Sequence, residues 1–186
     1  MIPYCSICWD DNKVHLLDQR LLPQEETYLI TTDYRDVIEA IRTLAIRGAP
    51  AIGVAAAMGA ALGALALNTD DPREFQARFG EICREIAQAR PTAVNLFWAL
   101  ERMQKVAQKH AAAKVSDLKA RLVAEAQTML KEDDTTNRRL AQHGQVVIHE
   151  GQRVLTHCNT GALATGAYGT APVSYTHLTL PTTILV

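Results

Sequence analysis

The chain has 186 residues, 48% of them apolar and 21% charged, which excludes a disordered polymer and supplies enough apolar side chains for a substantial core. Nineteen Lys and Arg stand against 20 Asp and Glu, a net charge of -1, without the basic excess that nucleic acid or an anionic membrane surface would call for. A small molecule is the expected partner, with no nucleic acid and no membrane.

The opening MIPYCSICW has neither the basic start nor the long apolar run of a secretory signal, so the four cysteines, at positions 5, 8, 83 and 158, are assigned to a reducing cytoplasm. Cys5-x-x-Cys8 has no second close pair to complete a zinc site and is read as structural. Residues 5 to 30 alternate short β-prone runs, VHLLD and ETYLIT, with turn material at DDNK and LPQEE, which predicts a small antiparallel sheet. Helical spacing follows. Thr32 or Asp33 can cap a helix carrying Val37, Ile38, Ile41 and Leu44 on one face, and Gly48 and Pro50 end it.

A second helix is predicted from Pro50 to Asn68. Its Ala-rich and Gly-rich composition suits a buried central helix better than a membrane span, which would be richer in Leu, Ile and Phe. Further helices are predicted over residues 71–89, 92–113 and 116–143, the last a long connector stopped by Gly144. Beyond it, VVIHEGQRVLTHC reads as two extended runs about a turn at Glu150-Gly151, followed by a glycine-rich loop. Strand, glycine-rich loop and helix is how a nucleotide- or phosphate-binding α/β domain begins.

Three stretches can carry chemistry. In IRGAPAIG, Arg47 precedes a helix start whose free amides and guanidinium suit a phosphate, or it is a surface arginine before a Gly-Pro turn. In ARPTAVNLFW, Arg90 repeats the arrangement, with Thr92 as a possible cap; the alternative role is to stabilise the dipole of the preceding helix. In LTHCNTGALATGAYGTA, Gly161, Gly166 and Gly169 form a relaxed G-x-x-x-x-G-x-x-G, and Cys158 sits at the expected C-terminal end of a strand. There it is either a reactive thiol or inert packing, and His157 beside it is read as structural.

Together LLDQRLLP, AIRTLAIRGAPAIGVAAAMG, RPTAVNLFWAL and VLTHCNTGALATGAYGTA resemble the 5-methylthioribose-1-phosphate isomerase family, related to regulatory subunits of translation initiation factor 2B. The resemblance implies an aldose-to-ketose isomerisation giving 5-methylthioribulose 1-phosphate in methionine salvage, without metal or organic cofactor. It carries Arg47, Gly48, Ala49 and Arg90 over as substrate-binding residues and Cys158 as the active-site cysteine. It implies a homodimer for the complete protein, and a catalytic aspartate in a continuation that this chain lacks, so the chain alone is expected to be inactive.

The expected fold is therefore α/β. An N-terminal sheet and helical domain spans residues 1–114, a connecting helix residues 115–145, and the start of a truncated Rossmann-like domain residues 146–171. Residues 172–186, PVSYTHLTLPTTILV, depart from the family pattern and are read as a non-native tail resembling a translated adapter. Two other readings stand beside the first: a ribose-1,5-bisphosphate isomerase, which would also place phosphates near Arg47 and Arg90, and a non-catalytic regulatory subunit. RPTAVNLFWAL and LLDQRLLP favour the first reading over the bisphosphate enzyme; Cys158 and the RGAP stretch argue against a subunit without an active site.

Overall fold

A computed structural model describes residues 6–149, 152, 153 and 155–170. Three short strands, β1 (Ile7–Asp10), β2 (Lys13–Leu17) and β3 (Tyr28–Thr31), form an antiparallel sheet in the order β1-β2-β3. Trp9 pairs with Val14 and Leu16 with Leu29 across it. Asp11 and Asn12 turn the first hairpin with φ of 44° and 56°, a left-handed conformation that these two side chains tolerate better than most. Ile7, Val14 and Leu16 belong to the core cluster, and Leu17, on the other face of β2, is buried as well.

Among the described residues five α-helices follow: α1 (Tyr34–Arg42), α2 (Ala49–Ala66), α3 (Pro72–Ala87), α4 (Val94–Lys109) and α5 (Val115–Val147). Helix α1 begins where Asp33 accepts from the Arg35 amide, and α3 where Asp71 accepts from the Arg73 amide, in each case removing one unpaired donor of the first turn. Helix α2 is the axle, in contact with all four other helices. Every residue from Ala51 to Ala64 is buried, so α2 has no polar face. Its small side chains let neighbours come close: a Cβ added at Gly53 would lie 3.0 Å from the Asn95 carbonyl oxygen of α4. Of the described helices, α2 alone is long and apolar enough to cross a membrane, and it lies mostly buried inside the fold. Lys119 of α5 closes the far end, donating to the carbonyls of Leu65 at 3.2 Å and Leu67 at 2.6 Å, where helix carbonyls lack partners and a cation is favourable.

The larger side chains of the core lie around this axle. Phe75 and Phe79 stack at 5.9 Å between ring centroids, and Ile86, Leu96 and Met103 are fully buried. Burial of each such side chain contributes about 1.5–3 kcal/mol. Val115, Leu118, Leu122, Ala126 and Met129 of α5 join the same cluster. Arg102 of α4 ties α5 from outside, reaching Glu125 and Glu132 at 2.5 Å each.

The reading of the chain after residue 143 needs correction. Gly144 does not end the long helix, which continues to Val147, and among the described residues 148–170 there is no strand. A helical glycine costs only about 1 kcal/mol, too little to stop an established helix. A strand needs a partner for its amides and carbonyls, and none of the three described strands pairs with this segment. The turn expected at Glu150-Gly151, like Cys5 and the tail 172–186, lies outside the described residues.

Candidate functional site

The start of α2 is built for close approach. Gly48, its N-cap, has φ 101° and ψ 134°, a region that residues with a Cβ rarely enter. A Cβ there would also lie 2.3 Å from the Ala164 Cα and 2.4 Å from the Ala164 carbonyl oxygen. Glycine at 48 thus lets the segment after Cys158 press its main chain against the beginning of α2. Arg47 and Ala49, on either side, are exposed.

That segment folds on itself. Residues 162–164 make one 3-10 turn; the Thr170 amide donates to the Thr160 carbonyl at 2.8 Å and the Gly169 amide to Thr165 Oγ1 at 2.9 Å. Gly169, with φ 77°, closes the loop, and Gly166 leaves room for Leu130 on α5, whose Cδ1 would stand 2.4 Å from an added Cβ and would have to turn aside. These two glycines therefore serve the loop's own shape and its seat on α5, whereas the sequence motif suggested a phosphate cradle. Three buried or half-buried side chains hold the loop from outside. Ser6 Oγ donates to the Thr165 carbonyl, Gln19 Nε2 donates to the Leu163 carbonyl at 2.7 Å, and Asp133 of α5 accepts from the Gly166 amide at 2.7 Å. Burial pushes the Asp133 carboxyl above its ordinary range, with the Gly166 amide and Asn137 pulling the other way.

Arg47 is held from one side only. Its Nε donates to Gln19 Oε1 at 3.3 Å, and among the described residues no carboxylate pairs with it. Arg90, half-buried in the turn between α3 and α4, likewise has no carboxylate partner among the described residues; its carbonyl accepts from the Ala93 amide at 3.1 Å. Thr92 does not cap α4: the N-cap is Ala93, with no side-chain bond. Helices α1 and α3 have an Asp cap and an acid in the first turn, Asp36 and Glu74, whereas α2 and α4 have neither. The contact of Gly53 with Asn95 sets the first turn of α4 beside the early turns of α2. Two helices that touch through Gly53 and Asn95 thus each start without a carboxylate and after an arginine that has no carboxylate partner among the described residues, an arrangement suited to an anion.

Cys158 lies at the mouth of the loop. It is exposed, in a bend with φ 64°, and the next residue, Asn159, accepts from the Gly161 amide at 3.1 Å. It does not end a strand, and His157, expected to be a structural residue facing away from it, is exposed as well. Among the described residues no three His, Cys, Asp or Glu side chains gather as metal ligands.

Sequence reasoning missed Ser6, Gln19 and Asp133. Gln19 had a visible signal, lying within LLDQRLLP directly after a strand; the other two looked like ordinary polar positions.

Residues 45–177 match the profile of the Initiation factor 2 subunit family, over more than half of the chain. The chain belongs to that family. Among curated members it is 54% identical over 161 residues to a protein of Syntrophotalea carbinolica named methylthioribose-1-phosphate isomerase, a match covering 87% of this chain and 47% of that protein. A protein of Syntrophus aciditrophicus with the same name is 49% identical over 185 residues, 90% of this chain and 50% of that one. The chain spans about half the length of the curated relatives it matches. Among solved structures, 5-methylthioribose 1-phosphate isomerase from Pyrococcus horikoshii superposes with a TM-score of 0.86 at 37% identity, covering 94% of this chain and 49% of that one. The delta subunit of translation initiation factor eIF-2B from A. fulgidus gives 0.79 at 36% identity, covering 89% and 48%.

Proposed function

We propose that this member of the Initiation factor 2 subunit family forms the substrate-gathering half of an aldose-ketose isomerase that converts 5-methylthioribose 1-phosphate to 5-methylthioribulose 1-phosphate. The observation that carries the reading is the pair of helix starts at α2 and α4, free of carboxylates and preceded by Arg47 and Arg90, in a chain about half identical to proteins bearing that name. Arg47, Gly48, Ala49 and Arg90 bind the phosphorylated sugar. A guanidinium meets phosphate through charge-assisted, often bidentate bonds, each contributing about 1.5–3 kcal/mol.

The phosphate also dictates the chemistry. A sugar phosphorylated on its anomeric carbon cannot open freely to an aldehyde, so the ring must be opened before an enediol can form. A carboxylic acid protonating the ring oxygen accomplishes this, and exclusion of water strengthens the step. In this reading that acid belongs to the part of the relatives that this chain does not span, within a Rossmann-like domain whose first residues are 146–171. Cys158 then assists hydrogen transfer or stabilises the transition state. No metal or organic cofactor enters the scheme, and the complete protein is a cytoplasmic homodimer.

The test is a chimera in which residues 1–170 continue into the matching remainder of the Syntrophotalea carbinolica protein, verified by cooperative unfolding. It is expected to turn over 5-methylthioribose 1-phosphate but not ribose 1,5-bisphosphate. Arg47→Ala and Arg90→Ala should each raise KM roughly 10- to 150-fold, and Cys158→Ser should lower kcat without moving the unfolding midpoint. A folded chimera without turnover, or arginine variants with unchanged KM, would refute the reading.

A further inference from the structure

Gln19 is an amide in a place where several other arginines of this chain meet carboxylates. Arg20, Arg42, Arg78, Arg102 and Arg138 each pair with an Asp or Glu. Arg47 instead receives the neutral oxygen of Gln19, whose other amide atom, Nε2, donates to the Leu163 carbonyl in the loop that leads from Cys158. The residue is 2% exposed, and its backbone amide donates to the Ala45 carbonyl at 2.9 Å, two residues before Arg47. Its neighbour Asp18 is the nearest acid in sequence, and both of its carboxylate oxygens are taken by Arg20.

The orientation of the amide follows from these partners. Turned over, it would set its NH2 against a guanidinium N–H and its oxygen against a carbonyl, two repulsions in place of two bonds. A glutamate at 19 would lose the donor to Leu163, oppose its carbonyl, and give Arg47 a permanent counter-ion in competition with any incoming anion. The neutral amide occupies only the Nε–H of Arg47. Among the described residues no other partner takes the four N–H groups on the terminal nitrogens, which leaves them for bidentate recognition of a phosphate.

We propose that Gln19 is a positioning residue of the substrate site: its amide holds the Arg47 guanidinium and the Leu163 carbonyl in one register, coupling the anion-binding arginine to the loop that presents Cys158. This rests on the isomerase reading above for the identity of the ligand, but not for the clamp itself.

Two measurements on the 186-residue chain keep these apart. In 1H–15N NMR the Arg47 Nε–H should give a resolved signal protected from exchange, lost in Gln19→Leu and retained in Gln19→Glu, where the carboxylate still accepts it. Titrated with 5-methylthioribose 1-phosphate, both variants should bind about tenfold more weakly or worse, the first because the arginine is loose, the second because its charge is matched. An unprotected Nε–H in the wild type, or wild-type affinity in a folded variant, would overturn the proposal. If Gln19→Leu fails to fold, Gln19→Glu, of nearly the same volume, carries the comparison. A wild-type chain that fails to bind the sugar phosphate would count against the isomerase reading, and the Nε–H signals alone would then decide whether the clamp exists.

Discussion

Replacing Gly48 by Ala tests the joint between the start of α2 and the loop after Cys158. At φ 101° a residue with a Cβ is strained by about 1–3 kcal/mol. The new methyl would also stand 2.3 Å from the Ala164 Cα and 2.4 Å from its carbonyl oxygen, main-chain atoms that cannot rotate aside. Relief comes only if the loop lifts away. That breaks the bonds from Ser6 to Thr165, from Gln19 to Leu163 and from the Gly166 amide to Asp133, each with a net contribution of about 0.5–1.5 kcal/mol. Strain together with partial undocking predicts a loss of about 2–4 kcal/mol. For a chain of this size that lowers the unfolding midpoint by roughly 4–16 °C. Thermal and urea unfolding followed by circular dichroism measure the loss, and amide exchange at Gly166 and Gly169 reports whether the loop has lifted. Gly80→Ala is the control: on α3, with nothing within 4 Å of an added Cβ, it should gain about 0.5–1 kcal/mol. Gly48→Ala within about 0.5 kcal/mol of wild type, with Gly166 still protected, would refute the reasoning.

Arg102→Met should cost about 1 kcal/mol at neutral pH, a figure kept low because Glu132 is half exposed. Arg102 holds the Glu132 carboxyl below its ordinary range, so this contribution is present above the unfolded-state value and lost as pH falls through the folded one; a gap between wild type and variant that does not narrow at all as urea titrations are carried from neutral pH into acid would contradict it. Asp133 has the opposite sign: burial raises its carboxyl, so its contribution is full below the unfolded value and lost as pH rises through the folded one. Asp133→Asn keeps an acceptor for the Gly166 amide, and should be at least as stable as wild type at neutral pH with the advantage vanishing in acid; a less stable variant at neutral pH would count against this account. Iodoacetamide followed by peptide mapping should modify exposed Cys158 readily and Cys83 only after denaturation, because burial pushes the Cys83 thiol up to about 12; equal rates in the folded chain would be the contrary result.

Local rules accounted for most of the N-terminal elements, although α1 ends at Arg42, ahead of the expected Gly48-Pro50 stop, and leaves Leu44 exposed. Asp33 and Asp71 cap their helices, Asp11 and Asn12 turn the hairpin, and the small residues of α2 mark it as central, because each signal acts through bonds or contacts within a few residues or along one helix face. The region after residue 143 was misread because its VVIH and VLTHC runs suit a strand only where other strands can pair with them, and within the described residues none does. The site divides in the same way. The placement of Arg47 and Arg90 ahead of the α2 and α4 starts was legible in the sequence, because Gly48-Ala49-Pro50 and Pro91-Thr92 after them mark where those helices begin. That Gln19 joins Arg47, 28 residues away, to Leu163, 144 residues away, and that Ser6 and Asp133 hold the same loop, became visible only in the tertiary structure. The physical reason is that a side-chain amide, hydroxyl or carboxylate has no periodicity or fixed spacing to announce its partner. Which carbonyl or amide it meets is decided by how the packed helices and sheet bring distant segments together.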